Sequence, residues 1–311
     1  MVPWRALVGL ALAVAAFGLA PARAASTLPR ACEAQEAPDP MRVALALRVA
    51  AAVQVELARH DAPVAIVARA GLDLSLFGQR YSHAGLSLRD HPQGPWTVRQ
   101  LYFACEEGRP RIFDQGLAAF LLGNDPRARA QMVAILPAEP AAAALARAAG
   151  DEPLARRLLG GSYSANAHAF SDRHQNCNQW VAELLAVAWG SLPGDAEPLR
   201  SQAQAWLRAR GFEPTVFNVA WPPLRLLRRW SPWVREDDHP ESDLQAWRYR
   251  VVMPESIERF ARREQPGARR LEFCLDEAQR LVVREGWQPL GEGCEAARDD
   301  RVIELAPITQ P

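Results

Sequence analysis

A junction at Cys177 sets the terms for the whole chain. The polar run Ser-Asp-Arg-His-Gln-Asn over 171–176 ends at that cysteine, and apolar residues then recur at helical spacing as Val181, Leu184, Leu185, Ala188 and Trp189. The spacing predicts a largely buried helix with Cys177 in its first turn, closed by Gly190-Ser191-Leu192-Pro193-Gly194. Such a position suits a reactive thiol. Free N–H groups and the positive end of the helix dipole favour a thiolate, and a neighbouring imidazolium lowers the thiol pKa further. A catalytic thiolate also needs a base within hydrogen-bond reach and a polar group that orients the base.

The compartment bears on whether such a thiol stays free. Arg5 is followed by an apolar run from Ala6 to Ala20, then Pro21 and Ala22-Arg23-Ala24. The run is about 15 residues, short of the roughly 20 that span a bilayer. It reads as a secretory signal cleaved after Ala24, leaving no transmembrane anchor and pointing to a bacterial periplasm or secretion. Exported chains keep disulfides, and the 5 cysteines are odd in number. Cys274 and Cys294 flank a hairpin-like segment and are expected to pair. Cys32 and Cys105 pair if the N-terminal segment lies along the domain, which leaves Cys177 as the free thiol, although five cysteines allow other connectivities. With 49% hydrophobic residues the chain has enough for a sizeable core. Formal net charge is zero and no long basic run occurs, which argues against nucleic acid as a partner.

Along the chain, Met41–Arg59 reads as a helix and Pro63–Arg69 as a buried strand. Tyr81–Leu88 and Trp96–Phe103 form a hairpin around the turn cluster at 90–95. A strand at Met132–Leu136 and helices at 116–122, 141–149, 152–159 and 197–210 complete residues 25–213, taken as the main domain. Residues 214–311 open with Trp221-Pro222-Pro223 and Trp230-Ser231-Pro232-Trp233 and read as a C-terminal α/β appendage or small subdomain. Its tryptophans either pack the appendage on the core or line a sugar or peptide groove.

Of the 6 histidines, His91 and His239 precede prolines in turns and His60 closes a helix, all surface positions by pattern. His83 sits on a strand between Ser82 and Ala84-Gly85, small neighbours that let another segment approach closely. The motif Ser82-His83-Ala84-Gly85-Leu86, followed almost a hundred residues later by Asn176-Cys177-Asn178-Gln179-Trp180-Val181, resembles the circularly permuted branch of the NlpC-type papain-like superfamily, which includes lecithin–retinol acyltransferase-like proteins. More narrowly, the chain is similar to an exported proteobacterial family of unknown function. The resemblance covers roughly 60–190 and implies an α+β fold with an antiparallel sheet packed against the helix that carries the cysteine.

It also implies site residues. Cys177 is the nucleophile, His83 the base, and the orienting group lies on the strand after the histidine strand, where Gln100 is the choice over Thr97 and Arg99. A glutamine accepts a hydrogen bond from the imidazole but does not stabilise imidazolium as a carboxylate does. The Cys177 N–H, with Tyr163 or Gln175, would form an oxyanion hole; Asn176 and Asn178 read as capping and loop residues. The implied activity is hydrolysis of an amide bond, with cell-wall peptides or peptidoglycan fragments as leading substrates. Lipid or acyl hydrolysis, acyl transfer, or non-catalytic binding in the periplasm are the alternatives. His168, His174 and Cys177 offer a rival zinc set, but one loop without a second paired knuckle is a weak one. No metal and no cofactor is expected.

Overall fold

The computed structural model describes residues 39–104, 107–124, 131–193, 198–219 and 233–305. Its centre is an eight-stranded antiparallel sheet. The strands are β1 (Val64–Arg69), β2 (His83–Leu88), β3 (Thr97–Ala104), β4 (Arg109–Gln115), β5 (Met132–Leu136), β8 (Arg269–Leu275), β9 (Leu281–Glu285) and β10 (Arg301–Ile303). Their spatial order is β10-β9-β8-β5-β1-β2-β3-β4. β6 (Thr215–Asn218) and β7 (Arg248–Val251) form a separate two-stranded ribbon.

β1 shows why the sheet is covered on both sides. All its residues are buried, and alternate side chains leave opposite faces. Val64, Ile66 and Ala68 join Ala84 and Leu86 of β2 in one core. Ala65 and Val67 join Val98, Met132 and Ala134 in the other. The second face is closed by α1 (Pro40–Ala58), through Val49, Val53 and Leu57, and by α2 (Leu117–Leu122), through Phe120 and Leu121. The first face is closed by α3 (Ala141–Gly150) and α5 (Cys177–Gly190), with α6 (Leu199–Ala209) and α8 (Pro254–Glu264) packed outside them. Two short helices, α4 (Glu152–Arg157) and α7 (Glu241–Gln245), complete the described residues. The fold class is therefore α+β, with a large antiparallel sheet and helices on both faces.

α5 is the helix expected from the periodicity, but it is buried all round rather than on one stripe. Every residue from Cys177 to Ala188 is buried. Such a helix is held by tertiary packing and not by propensity. Trp180 is fully enclosed, and its indole N–H donates to the Ala155 carbonyl at 3.2 Å.

The region after 214 departs from the expected appendage. β8 pairs with β5, Met132 lying opposite Phe273, so β8–β10 extend the central sheet instead of packing on it as a separate layer. The cause lies in β8 itself: apart from exposed Arg269, Arg270–Leu275 are buried throughout, which requires cover on both faces. The expected Cys274–Cys294 disulfide is present, with Cα atoms 5.7 Å apart, and pins the segment after β9 back onto β8. Cys32, Cys105, the leader 1–24, Trp221 and Trp230 lie outside the described residues.

Candidate functional site

The N-terminus of α5 is built by its own cap. Asn176 is the N-cap, its side chain accepting from Gln179 N–H at 2.7 Å, and Cys177 is the first helical residue. The polar run before it is held from behind by Glu183, one turn and a half along the same helix. Arg200 of α6 donates from Nε (2.9 Å) and Nη2 (3.1 Å) to the two Glu183 oxygens. The same guanidinium reaches the carbonyls of Asp172, Ser171 and His174. Gln175 is consumed in this network. Its amide nitrogen donates to Leu158 O (2.8 Å) and Glu183 (2.6 Å), and its oxygen accepts from Gly160 N–H (2.7 Å). With both amide hydrogens committed, Gln175 has none to offer an oxyanion; the expectation that it serves as a donor is corrected by that geometry.

The start of β2 supplies the second half. The Ser82 hydroxyl accepts from the N–H groups of Gly71 (3.0 Å) and Leu72 (2.7 Å), which closes the loop from β1. His83 follows. Its Nε2 lies 2.6 Å from Gln100 Oε1, and its ring stacks on Tyr102 with centroids 4.7 Å apart. A glutamine oxygen only accepts, so the proton sits on Nε2 and Nδ1 is the bare nitrogen. Among the described residues Nδ1 has no hydrogen-bond partner. Arg99 points the other way, into a two-bonded pair with Asp114. Gly85 is required by the close crossing of β3: a Cβ there would lie 2.8 Å from Val98 Cγ1 and 3.2 Å from Gln100 Cβ.

Asn178 joins the halves. Its Nδ2 donates to the Ser82 carbonyl at 3.1 Å, and its Oδ1 accepts from the Cys177 thiol at 3.6 Å. The thiol also faces the backbone N–H groups of Cys177, Asn178 and Ala84, the last being the residue after His83. No hydrogen bond joins Cys177 to His83 among the described residues. Ala84 and Cys177 share the core under α5, whereas the His83 ring turns toward Tyr102 and Phe120, as alternation along a strand dictates.

The electrostatics depart from the expected thiolate. Burial pushes the Cys177 thiol up to about 11, against the lowering effects of Arg69 and the three N–H groups. Burial, aided by the Arg69 charge, pushes His83 down to about 3, against the raising effect of the Gln100 hydrogen bond. Both the thiol and the imidazole are therefore neutral at rest. Desolvation outweighs the helix terminus here because both groups are almost fully enclosed. Tyr163 is buried in the same core, and burial followed by the Cys177 charge holds its hydroxyl well above the usual tyrosine value. That hydroxyl has no hydrogen-bond partner among the described residues, so it is the side-chain donor left for an oxyanion.

A family model described as an uncharacterized protein conserved in bacteria, DUF2145, matches residues 56–261. The chain belongs to the DUF2145 family. No curated protein and no solved structure matches it. The DUF2145 match begins within α1 and ends within α8, so it takes in Cys177, His83, Gln100, Asn178 and Arg69.

Two residues of this DUF2145 site escaped the sequence. Asn178 looks like a loop residue in a string of polar letters, and only the packing of α5 on β2 shows it as the bridge. Arg69 reads as the end of an apolar strand; its full burial is the signal, and no local pattern carries it. Elsewhere, His239 is buried and not at the surface. It contacts His168 (centroids 5.5 Å) and Tyr249 (5.1 Å) and bonds the Asn166 carbonyl at 2.8 Å. His174 lies between Ser162 and Asp237. His168, His174 and Cys177 thus have separate partners and do not converge. Trp233 packs edge-on to Phe103 at 4.3 Å, a packing role.

Proposed function

We propose that this chain is an exported cysteine hydrolase of amide bonds with a permuted papain-like arrangement, acting on cell-wall peptides. The observation that carries the reading is the pairing of His83 with Gln100. The 2.6 Å contact to Gln100 leaves Nδ1 bare, at the strand end that Asn178 ties to the nucleophile's helix.

The chemistry follows from those atoms. Cys177 Sγ attacks the acyl carbon while His83 Nδ1 takes the thiol proton. The oxyanion meets the Cys177 N–H and the Tyr163 hydroxyl. His83 returns the proton to the leaving amine, which departs and leaves a thioester. His83 then draws a proton from water, and the resulting hydroxide releases the acid and restores the thiol. On this reading Sγ and Nδ1 come within hydrogen-bond reach only when substrate enters.

Export is supported by the N-terminal leader pattern and by the Cys274–Cys294 disulfide, which suits an oxidising compartment. No helix among the described residues is long and apolar enough to cross a membrane. A binding protein that keeps this site without turnover is the second reading. The absence of a Cys177–His83 hydrogen bond among the described residues and the neutral state of both groups favour it.

The test is a digest of muropeptides by the mature protein, with acyl-lipid amides and esters in parallel. Cleaved peptide from wild type and none from Cys177→Ala is the expected outcome. Product from the lipids alone moves the assignment to acyl hydrolysis or transfer. If neither product nor a thioester on Cys177 forms, the binding reading replaces the hydrolase.

A further inference from the structure

Alternation along β1, β2 and β3 sets Arg69, His83, Gln100 and Tyr102 on one face of the sheet, the face that α1 and α2 close. Arg69 ends β1 directly opposite His83 in register and is fully buried. Its Nη1 donates to the Gly123 carbonyl, and its Nη2 to the Tyr102 hydroxyl at 2.7 Å. The guanidinium carbon lies 5.3 Å from the centre of the Phe120 ring. Gly123 leaves it room, since a Cβ there would sit 2.5 Å from Arg69 Cζ. His83 stacks on Tyr102 with centroids 4.7 Å apart and meets Gln100 at 2.6 Å. The four side chains are one contiguous cluster, on the side of the sheet away from α5.

The cluster leaves three donors open. Arg69 Nε and Gln100 Nε2 are buried without an acceptor. The Tyr102 hydroxyl receives from Arg69, and its own hydrogen has no acceptor among the described residues. Nε and Nη2 share one edge of a guanidinium, so the open Nε and the Tyr102 hydroxyl lie along the same edge. Among the described residues no carboxylate comes within ion-pair distance of Arg69. Asp114 on β4 is taken by Arg99 on the other face of the sheet, and Glu272 by Arg270 and Tyr81.

A buried cation without a counter-charge is costly, and so is each buried donor left unpaired. One kind of group removes all of these costs together: it is negative, accepts on several sides and donates nothing. Water answers the donors but not the charge. One guanidinium balances one negative charge, which favours a monovalent group over a dianion. The cluster also reaches solvent. Tyr102 is only half-buried, and Phe113, packed edge-on to it at 5.9 Å, is 42% exposed.

We propose that this cluster binds a small monovalent anion, a halide or the carboxylate of a small acid, held by Arg69 Nε, the Tyr102 hydroxyl and Gln100 Nε2. His83 Nδ1, the one open acceptor, is not a ligand of the anion. The anion enters past Tyr102 and Phe113. Tyr102 then accepts from the cation and donates to the anion, which joins the two charges through one hydroxyl. The site goes beyond the hydrolase reading and does not depend on it, since Cys177 takes no part.

Urea unfolding of the full chain in rising sodium chloride, sodium formate or sodium N-acetylalaninate tests this, with ionic strength held by sodium sulfate. Wild type is read against Arg69→Met in each salt, which cancels general salt effects. Without added anion the two chains start close together. Above the dissociation constant, each tenfold rise in the anion should raise the wild-type folding equilibrium about tenfold more than that of Arg69→Met. Tyr102→Phe keeps the ring over His83 and loses the hydroxyl, so it should need about tenfold more anion for the same effect. A response to chloride alone assigns the site to a free inorganic ion. A response to formate and N-acetylalaninate as well assigns it to an organic acid or a peptide end. Parallel curves for wild type and Arg69→Met in all three salts overturn the proposal. Should Arg69→Met fail to fold, Tyr102→Phe becomes the reference: curves displaced to higher anion support the site, and superimposed curves overturn it. Muropeptide turnover enters neither readout, so failure of this inference and failure of the hydrolase reading are told apart.

Discussion

Two buried polar clusters, one on α5 and one across β1–β3, are built to opposite standards. At Glu183 every group is answered: two guanidinium bonds from Arg200 and one amide bond each from Gln175 and Gln204. The other lies across β1–β3, where Arg69 stands opposite His83 in register, Arg69 Nε and Gln100 Nε2 are buried without acceptors and His83 Nδ1 is bare. The first cluster neutralises its charge and fixes the chain that leads into Cys177. The second holds an unanswered cation, an unanswered donor and an unanswered base in one place. A saturated network adds rigidity, whereas one with open valences is arranged to receive something.

The contrast can be broken most forcefully with acid. Because the His83 pKa is depressed to about 3 in the folded chain, the unfolded chain takes up a proton near pH 6.5 that the folded chain refuses. Stability is full above that value and falls as pH drops toward about 3, by roughly 4–5 kcal/mol at most. His83→Gln keeps a polar side chain beside Gln100 without a titrating nitrogen. Its unfolding free energy, measured by urea at a series of pH values, should lose most of that slope; an unchanged slope would refute the enclosed, neutral His83.

Next in size is the closed cluster. Glu183→Ala leaves Arg200 buried without a counter-charge and should cost about 3–5 kcal/mol in chemical denaturation. The loss should fall on the 171–175 run, visible as faster amide exchange there. If the variant unfolds at the wild-type midpoint, the cluster has no structural weight and the comparison fails.

How much of this was legible beforehand differs between the two clusters. The helix start at Cys177, the strand at His83 and the need for a small residue at Gly85 are local signals. They survive because Asn176 caps, β2 is buried throughout, and β3 crosses at Gly85. The resemblance pointed to this strand, alternation puts Arg99 and Gln100 on opposite faces, and it is Gln100 that meets His83. What could not be read depends on distant packing. Arg69 and Glu183 are charged letters in apolar runs, and nothing near them in sequence names Tyr102 or Arg200 as partner. The thiol's pKa failed for the same reason: a helix start predicts a thiolate, but enclosure by Tyr81, Tyr163 and Ala84 reverses the balance. The joining of β8 to β5 is likewise a pairing across more than a hundred residues.

Alkali probes the thiol in the same way. The Cys177 thiol, raised to about 11 from an ordinary 9.0, stays protonated in the folded chain while the unfolded chain ionises. Stability is therefore full below about pH 9 and declines toward pH 11, by roughly 2–3 kcal/mol. Cys177→Ala should flatten that alkaline limb in the same urea series, and a limb that persists would place its origin in another group.

The smallest expected change is the most discriminating. Arg69→Met removes a guanidinium that has hydrogen bonds to Gly123 and Tyr102 but no carboxylate among the described residues. The lost bonds cost about 1 kcal/mol each, and relief of an unpaired buried charge offsets them. Methionine is apolar, flexible and of similar reach beside Phe120. The unfolding free energy at neutral pH should stay within about 1 kcal/mol of wild type. Arg200→Met, the matched change in the closed cluster, strands Glu183 and should cost about 3–5 kcal/mol. Two buried arginines would then behave oppositely, one holding the fold and the other nearly dispensable to it. Equal losses for both would make Arg69 a structural residue and remove the distinction between the clusters.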